Sequence, residues 1–164
     1  MKQNIFILSA PVQSGKTTAL ATWTQQYSGK VNGFLTPDVH GLRVVQNLCN
    51  GEIFPFERIT PEPGDIQIGR FTFAKSGFDT MRRILNENCT LSATPFIMDE
   101  IGKLELKNEG LEPALSRFLH FHKESGTPIL LVVRDYLLTE VIQKYHLQNP
   151  VIIPFTKPLE WNPV

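Results

Sequence analysis

Asn4-Ile-Phe-Ile-Leu-Ser9 is a β-branched and aromatic run without helical spacing, closed by Ala10-Pro11, and it predicts a buried strand. A loop leads into a predicted helix from Gly15 to Tyr27, stopped by Ser28-Gly29. Val31 to Thr36 reads as the next strand, so strand, loop, helix and strand open a βαβ unit. Leu42 to Leu48 and Glu52 to Glu57 are extended runs around Cys49-Asn50-Gly51, where the Asn-Gly pair tolerates the positive φ of a hairpin turn. After the loop Thr60-Pro-Glu-Pro-Gly-Asp65 comes a third extended run, Ile66 to Phe73. These three runs predict an antiparallel hairpin insertion.

Phe78, Met81, Ile84 and Leu85 stripe a helix predicted over Ser76 to Asn88, with Ser76 as its N-cap and Asp79 in the capping-box position. On it, Arg82 and Arg83 read as solvated. Thr94-Pro-Phe-Ile-Met-Asp99 is a short apolar run ending on two acids. Leu111, Leu115, Phe118 and Leu119 form another helical stripe, and Ile129 to Val133 suits a parallel strand covered on both faces. A helix over Tyr136 to Tyr145 and a strand over Val151 to Phe155 complete the alternation, which predicts an α/β sandwich. The prolines from Pro150 onward argue against a helical tail.

The chain has 164 residues with 16 Lys+Arg against 16 Asp+Glu, which suits one domain over 1–164 with a core of its own. Zero net charge argues against nucleic acid as a partner. Neither a signal peptide nor a membrane-spanning stretch is legible. Cys49 and Cys89 stand apart, so they read as small buried side chains in a reducing, cytoplasmic compartment.

Chemistry enters at Ala10-Pro11-Val12-Gln13-Ser14-Gly15-Lys16-Thr17. Between a strand and a helix this matches the phosphate-loop pattern, apart from Ala10 at the leading glycine. Successive backbone amides and a helix N-terminus suit a polyphosphate. Lys16 is the candidate for the β- and γ-phosphates, Thr17 for the magnesium (Mg2+) that accompanies a nucleotide, and Thr18 for the α-phosphate. At the end of the Phe96 strand, Asp99 is the candidate magnesium acid and Glu100 the candidate general base for an attacking water. Arg134, closing the Ile129 strand, either neutralises charge in phosphoryl transfer or pairs with Asp135 or another acid. The four histidines lack metal-ligand spacing, and His40 alone falls beside the predicted site.

The phosphate loop, Gly33-Phe34-Leu35-Thr36, Gly69-Arg70-Phe71 before a helix, and above all Asp99-Glu-Ile-Gly-Lys-Leu-Glu-Leu106 resemble the THEP-type nucleoside triphosphatases, also called cancer-related nucleoside triphosphatases. The resemblance spans nearly the whole chain. It implies a RecA-like, three-layer α/β/α fold and magnesium-dependent hydrolysis of the terminal phosphate of ATP, GTP and other nucleoside triphosphates. It also implies that Lys16, Thr17, Asp99 and Glu100 do this work, and it lifts Lys103 and Glu105 above a solvated loop. Two departures stand out: Ala10 and Gln13 replace glycine-rich positions, which bears on affinity. Pro37-Asp38-Val39-His40-Gly41 replaces an acid-basic pattern, which bears on the substrate. Two other readings compete. In a nucleotide or small-molecule kinase the insertion holds an acceptor and Arg43, Arg70 or Arg134 closes over the phosphates. In a nucleotide-binding interaction domain neither acid need act.

Overall fold

The computed structural model describes residues 4–87 and 94–163. Its main sheet has eight strands. β1 (Ile5–Ala10), β10 (Ile129–Arg134), β9 (Phe96–Ile101) and β2 (Asn32–Leu35) run parallel, and β11 (Val151–Ile153) pairs parallel to the other side of β1. Beyond β2 the direction reverses. β4 (Leu42–Asn47) pairs antiparallel with β2, and β3 (Asp38–Val39) and β5 (Ile53–Pro55) pair with β4. A separate antiparallel sheet joins β6 (Glu57–Arg58), β8 (Phe71–Phe73) and β7 (Ile66–Ile68).

Alternation along the central strands divides the core. Phe96, Met98, Leu131 and Val133 face one layer, formed by α2 (Lys75–Glu87), α4 (Ala114–His122) and α5 (Leu138–Lys144). Ile97, Leu130 and Val132 face α1 (Lys16–Gln26) and the tail residues Leu159 and Trp161. The Trp23 indole N–H donates to the Trp161 carbonyl at 3.1 Å, so the proline-rich tail completes this second layer. The expected three-layer, RecA-like arrangement with its antiparallel insertion is therefore the one present. Among the described residues no helix is long and apolar enough to cross a membrane.

One close approach fixes how β2 meets β9. Gly33 has φ of 102°, and a Cβ there would lie 2.0 Å from the Ile97 carbonyl oxygen. Only glycine lets the two backbones pair at this spacing.

Several local expectations change in three dimensions. The run Ile66 to Phe73 folds back on itself at Gly69 (φ 59°) into a hairpin. α2 starts at Lys75, which puts Ser76 inside the first turn; Asp79 pairs with Arg82 instead of capping. Arg82 also donates to the Gly110 carbonyl, while Arg83 pairs with Glu87. The end of that helix at Asn88, and Cys89, lie outside the described residues. Cys49 is exposed, because the Asn47 side chain accepts its N–H and holds it in the β4–β5 turn, away from the core.

Candidate active site

β1 delivers the chain to the loop at Ala10, which is strand-paired with Arg134 of β10. Ala10 is part of that parallel ladder and has no positive φ, so the leading position needs no glycine here. Further on, Gln13 (φ 57°) and Gly15 (φ 91°) take left-handed backbone before α1 begins at Lys16. Such turns gather successive N–H groups into a concavity that suits an anion. Lys16 is buried and folds its Nζ back onto the loop, donating to the carbonyls of Ala10 (3.0 Å) and Pro11 (2.8 Å). Burial lowers its pKa, opposed by the charges of Glu100 and Asp99.

Strand β9 runs two residues past Asp99, to Ile101. Its pairing with β10 slips there: Met98 faces Leu131, yet Ile101 faces Val133. Three steps on β9 thus match two on β10, a bulge that re-aims the pair of acids. Glu100 carries the distortion, with φ of 107°, a conformation that costs a non-glycine residue free energy and is often found at functional sites.

Asp99 points inward and is 2% exposed. Its Oδ2 accepts from the Thr17 hydroxyl at 2.8 Å, the Thr36 N–H at 3.0 Å and the Thr36 hydroxyl at 3.3 Å. Its Oδ1 is buried without a hydrogen-bond partner. Burial raises the Asp99 pKa, and the charge of Glu100 adds to the rise. An unpaired carboxylate oxygen beside a threonine hydroxyl is the donor chemistry that magnesium takes, so these residues fit that ion.

Glu100 leans the other way. Its Oε1 accepts from Arg134 Nε at 2.9 Å, and Arg43 Nη1 lies 3.4 Å from Oε2. Arg134 therefore pairs with an acid, as one of its two expected readings had it, but the acid is Glu100. Asp135 instead accepts the N–H of Tyr136. Thr36 was absent from the expected site, and Arg43 entered it only in the kinase reading, as one of three arginines that close over the phosphates. The short segment Gly33–Thr36 carried a signal only as a family pattern, and nothing local marks Arg43.

Glu105 is buried, where its local sequence without the family resemblance reads as a solvated loop. Its carboxylate accepts the N–H of Gly102 (2.9 Å) and of Leu111 (3.1 Å), so it reaches back to the N-cap of α3 (Lys103–Leu106), where Gly102 has no side chain to return the bond. Lys103 is exposed and its Nζ lies 5.6 Å from the Tyr136 ring centre. His40 is exposed in the β3–β4 turn.

Two cavities flank the loop. One of about 320 Å³ starts at Gly15 and Thr18 and extends along α1 past Thr22 and Gln26 to Lys157 and Pro158. The other, about 550 Å³, starts at Val12 and Gln13 and passes Asp99, Glu100 and Arg134 into an apolar wall from the insertion and α2.

A strand–loop–helix anion site, with an acidic strand separated from it by one parallel strand, defines a P-loop nucleotide-binding protein. More particularly, the chain belongs to the NTPase_1 family, described as NTPase, whose model matches residues 5–156. The fold is shared with THEP1 from the hyperthermophile Aquifex aeolicus. The match has a TM-score of 0.71 at 18% sequence identity and covers 92% of this chain and 89% of that one. No curated protein matches the chain. The resemblance to THEP-type nucleoside triphosphatases thus holds at the level of family and fold.

Proposed function

We propose that the protein hydrolyses the terminal phosphate of ATP, GTP and other nucleoside triphosphates with magnesium, in the cytoplasm. The observation that carries this reading is the 2.8 Å contact between Thr17 of the phosphate loop and Asp99 of the bulged strand, with Glu100 next in sequence. The loop amides and Lys16 bind the β- and γ-phosphates, Lys16 exchanging the Ala10 and Pro11 carbonyls for phosphate oxygens. Thr18 and Gly15 border the cavity along α1, which takes the nucleoside. Thr17 and Asp99 hold the metal. Bound there, magnesium neutralises charge on the phosphates.

Glu100 serves as general base. One carboxylate oxygen accepts a proton from a water aligned on the γ-phosphorus. Both oxygens face guanidinium groups, so activity requires that Arg134 or Arg43 turn toward the phosphates. That move places positive charge where negative charge develops in transfer. The same displacement frees the base.

Phosphate release from each of four nucleoside triphosphates, with magnesium and with a chelator, tests this. Release that needs the metal and no acceptor supports hydrolysis. Tight nucleotide binding without release would favour an interaction domain.

A further inference from the structure

We propose that the 550 Å³ cavity between the phosphate loop and the small antiparallel sheet binds a nucleoside monophosphate, whose phosphate accepts the γ-phosphoryl group. This rests on the reading that a nucleoside triphosphate occupies the phosphate loop with its nucleoside along α1. That placement uses the larger cavity, on the γ-phosphate side, only along its Asp99–Glu100 edge and leaves the space toward the small sheet unused. Attack by water needs only a site of about 30 Å³, the volume of one water molecule. The space present is that of a small-molecule pocket.

Its wall selects a flat ring. Phe71 is partly exposed in it, backed by the buried rings of Phe56, Phe73 and Phe78, with Phe56–Phe73 ring centres 4.7 Å apart and Phe56–Phe78 5.0 Å apart. The Arg70 guanidinium lies 4.9 Å from the Phe71 ring centre, and Arg43 lies 5.8 Å from both Phe71 and Phe73. A heteroaromatic base stacks on such surfaces, which offer π faces and planar cations together.

Its mouth selects an anion. Arg43 comes from the insertion and Arg134 from the central sheet, and the Glu100 carboxylate sits between them. Two guanidinium groups converging on one carboxylate can also hold a phosphate monoester. Exposed Arg70, Lys103 and Lys107 line the same cavity. A ring against the phenylalanines and a phosphate between the arginines puts that phosphate toward Val12 and Gln13 of the phosphate loop. The acceptor oxygen of the dianionic monophosphate forms a bond to the γ-phosphorus. The bond from that phosphorus to the β–γ bridging oxygen breaks, and its electron pair leaves with the nucleoside diphosphate. Two diphosphates result and no proton moves.

The test uses the full chain with magnesium, ATP labelled in the γ-phosphate, and AMP, GMP, CMP, UMP or dTMP in turn. Label should enter a second diphosphate with at least one of them, so that ADP formed exceeds inorganic phosphate released. Equal ADP and inorganic phosphate with all five overturns the acceptor site and leaves hydrolysis standing. No ADP in any reaction overturns both. Phe71→Ala should raise the KM for the monophosphate about tenfold, the scale of one stacked base, with acceptor-free release within about twofold of wild type. Arg70→Ala, a surface change, should weaken monophosphate binding by calorimetry in the same direction. Transfer with both constants unmoved in both variants would place the acceptor elsewhere and overturn the proposal.

Discussion

Glu100 carries backbone strain and, in the proposed function, the role of general base, and two substitutions separate the two. Its side chain is 26% exposed and is paired with Arg134 at 2.9 Å and Arg43 at 3.4 Å. Partly exposed pairs contribute about 0.5–1 kcal/mol each, so losing both costs about 1–2 kcal/mol. Its φ of 107° costs a non-glycine residue about 1–3 kcal/mol. Glu100→Gln keeps that strain and loses the charge, so it should destabilise by about 1 kcal/mol. Glu100→Gly also loses the pairs and gains about 1 kcal/mol of unfolded-state entropy, yet relieves the strain. It should therefore be at least as stable as the glutamine variant and near wild type. Both should lose turnover by about a hundredfold or more, the scale of an absent general base. Affinity for a non-hydrolysable triphosphate should barely change, because the proposed function gives the phosphates to the loop amides, Lys16 and the metal. The assays are thermal or denaturant unfolding, single-turnover phosphate release and a dissociation constant, on all three proteins. Wild-type turnover in the glutamine variant would refute the assignment of the base. A glycine variant several kcal/mol below the glutamine variant would refute the account of strain.

Gly33→Ala should be severe: a Cβ 2.0 Å from the Ile97 carbonyl at φ 102° combines overpacking and backbone strain, about 3 kcal/mol or more. The melting temperature should fall by roughly 6–12 °C, and a drop under about 2 °C would show that β2 shifts freely. Lys16→Ala should weaken triphosphate binding about tenfold to a hundredfold, the value of a charge-assisted contact, while circular dichroism stays unchanged; equal affinity would remove Lys16 from the site. Burial, and then the charge of Glu100, raise the Asp99 pKa, so the folded state binds that proton more tightly than the unfolded one. Stability at this group is fully present below the unfolded value near pH 4 and is lost as pH rises through the folded value. Asp99→Asn should therefore melt higher than wild type at neutral pH without metal, with the gap closing below about pH 4, and should move the magnesium requirement to higher concentration. An unchanged pH profile and magnesium titration would contradict the placement of Asp99.

Features built from contiguous residues were legible in the chain itself. Residues 10 to 17 specify their own loop, because the strand before, the glycine within and the helix after are neighbours. The strands Ile5–Ala10, Phe96–Ile101 and Ile129–Arg134 follow from apolar runs whose period and length are local. The Asn50-Gly51 turn announced its hairpin for the same reason. Asp99 and Glu100 could be singled out because adjacent acids close an apolar run. The opposite directions in which they point, Asp99 onto Thr17 and Thr36 and Glu100 toward Arg134 and Arg43, could not be read so directly, since they depend on a slip of pairing against Leu131 and Val133. A bulge is a property of two strands.

Tertiary structure alone decided the partners. Arg43 and Arg134 are 91 positions apart by their numbers, and they meet on Glu100 because β10 lies beside β9 while β4 continues the sheet beyond β2. Glu105 looks like a solvated acid until the N–H groups of Gly102 and Leu111 converge on it in the interior. Cys49 looks like a core residue until the turn around it is drawn to the surface. Periodicity reports which face of an element seeks burial, and it carries no information on which distant element supplies the cover. Hydrogen bonds to a buried carboxylate are chosen by strand order, and strand order is the sum of many weak packing preferences spread over the whole chain.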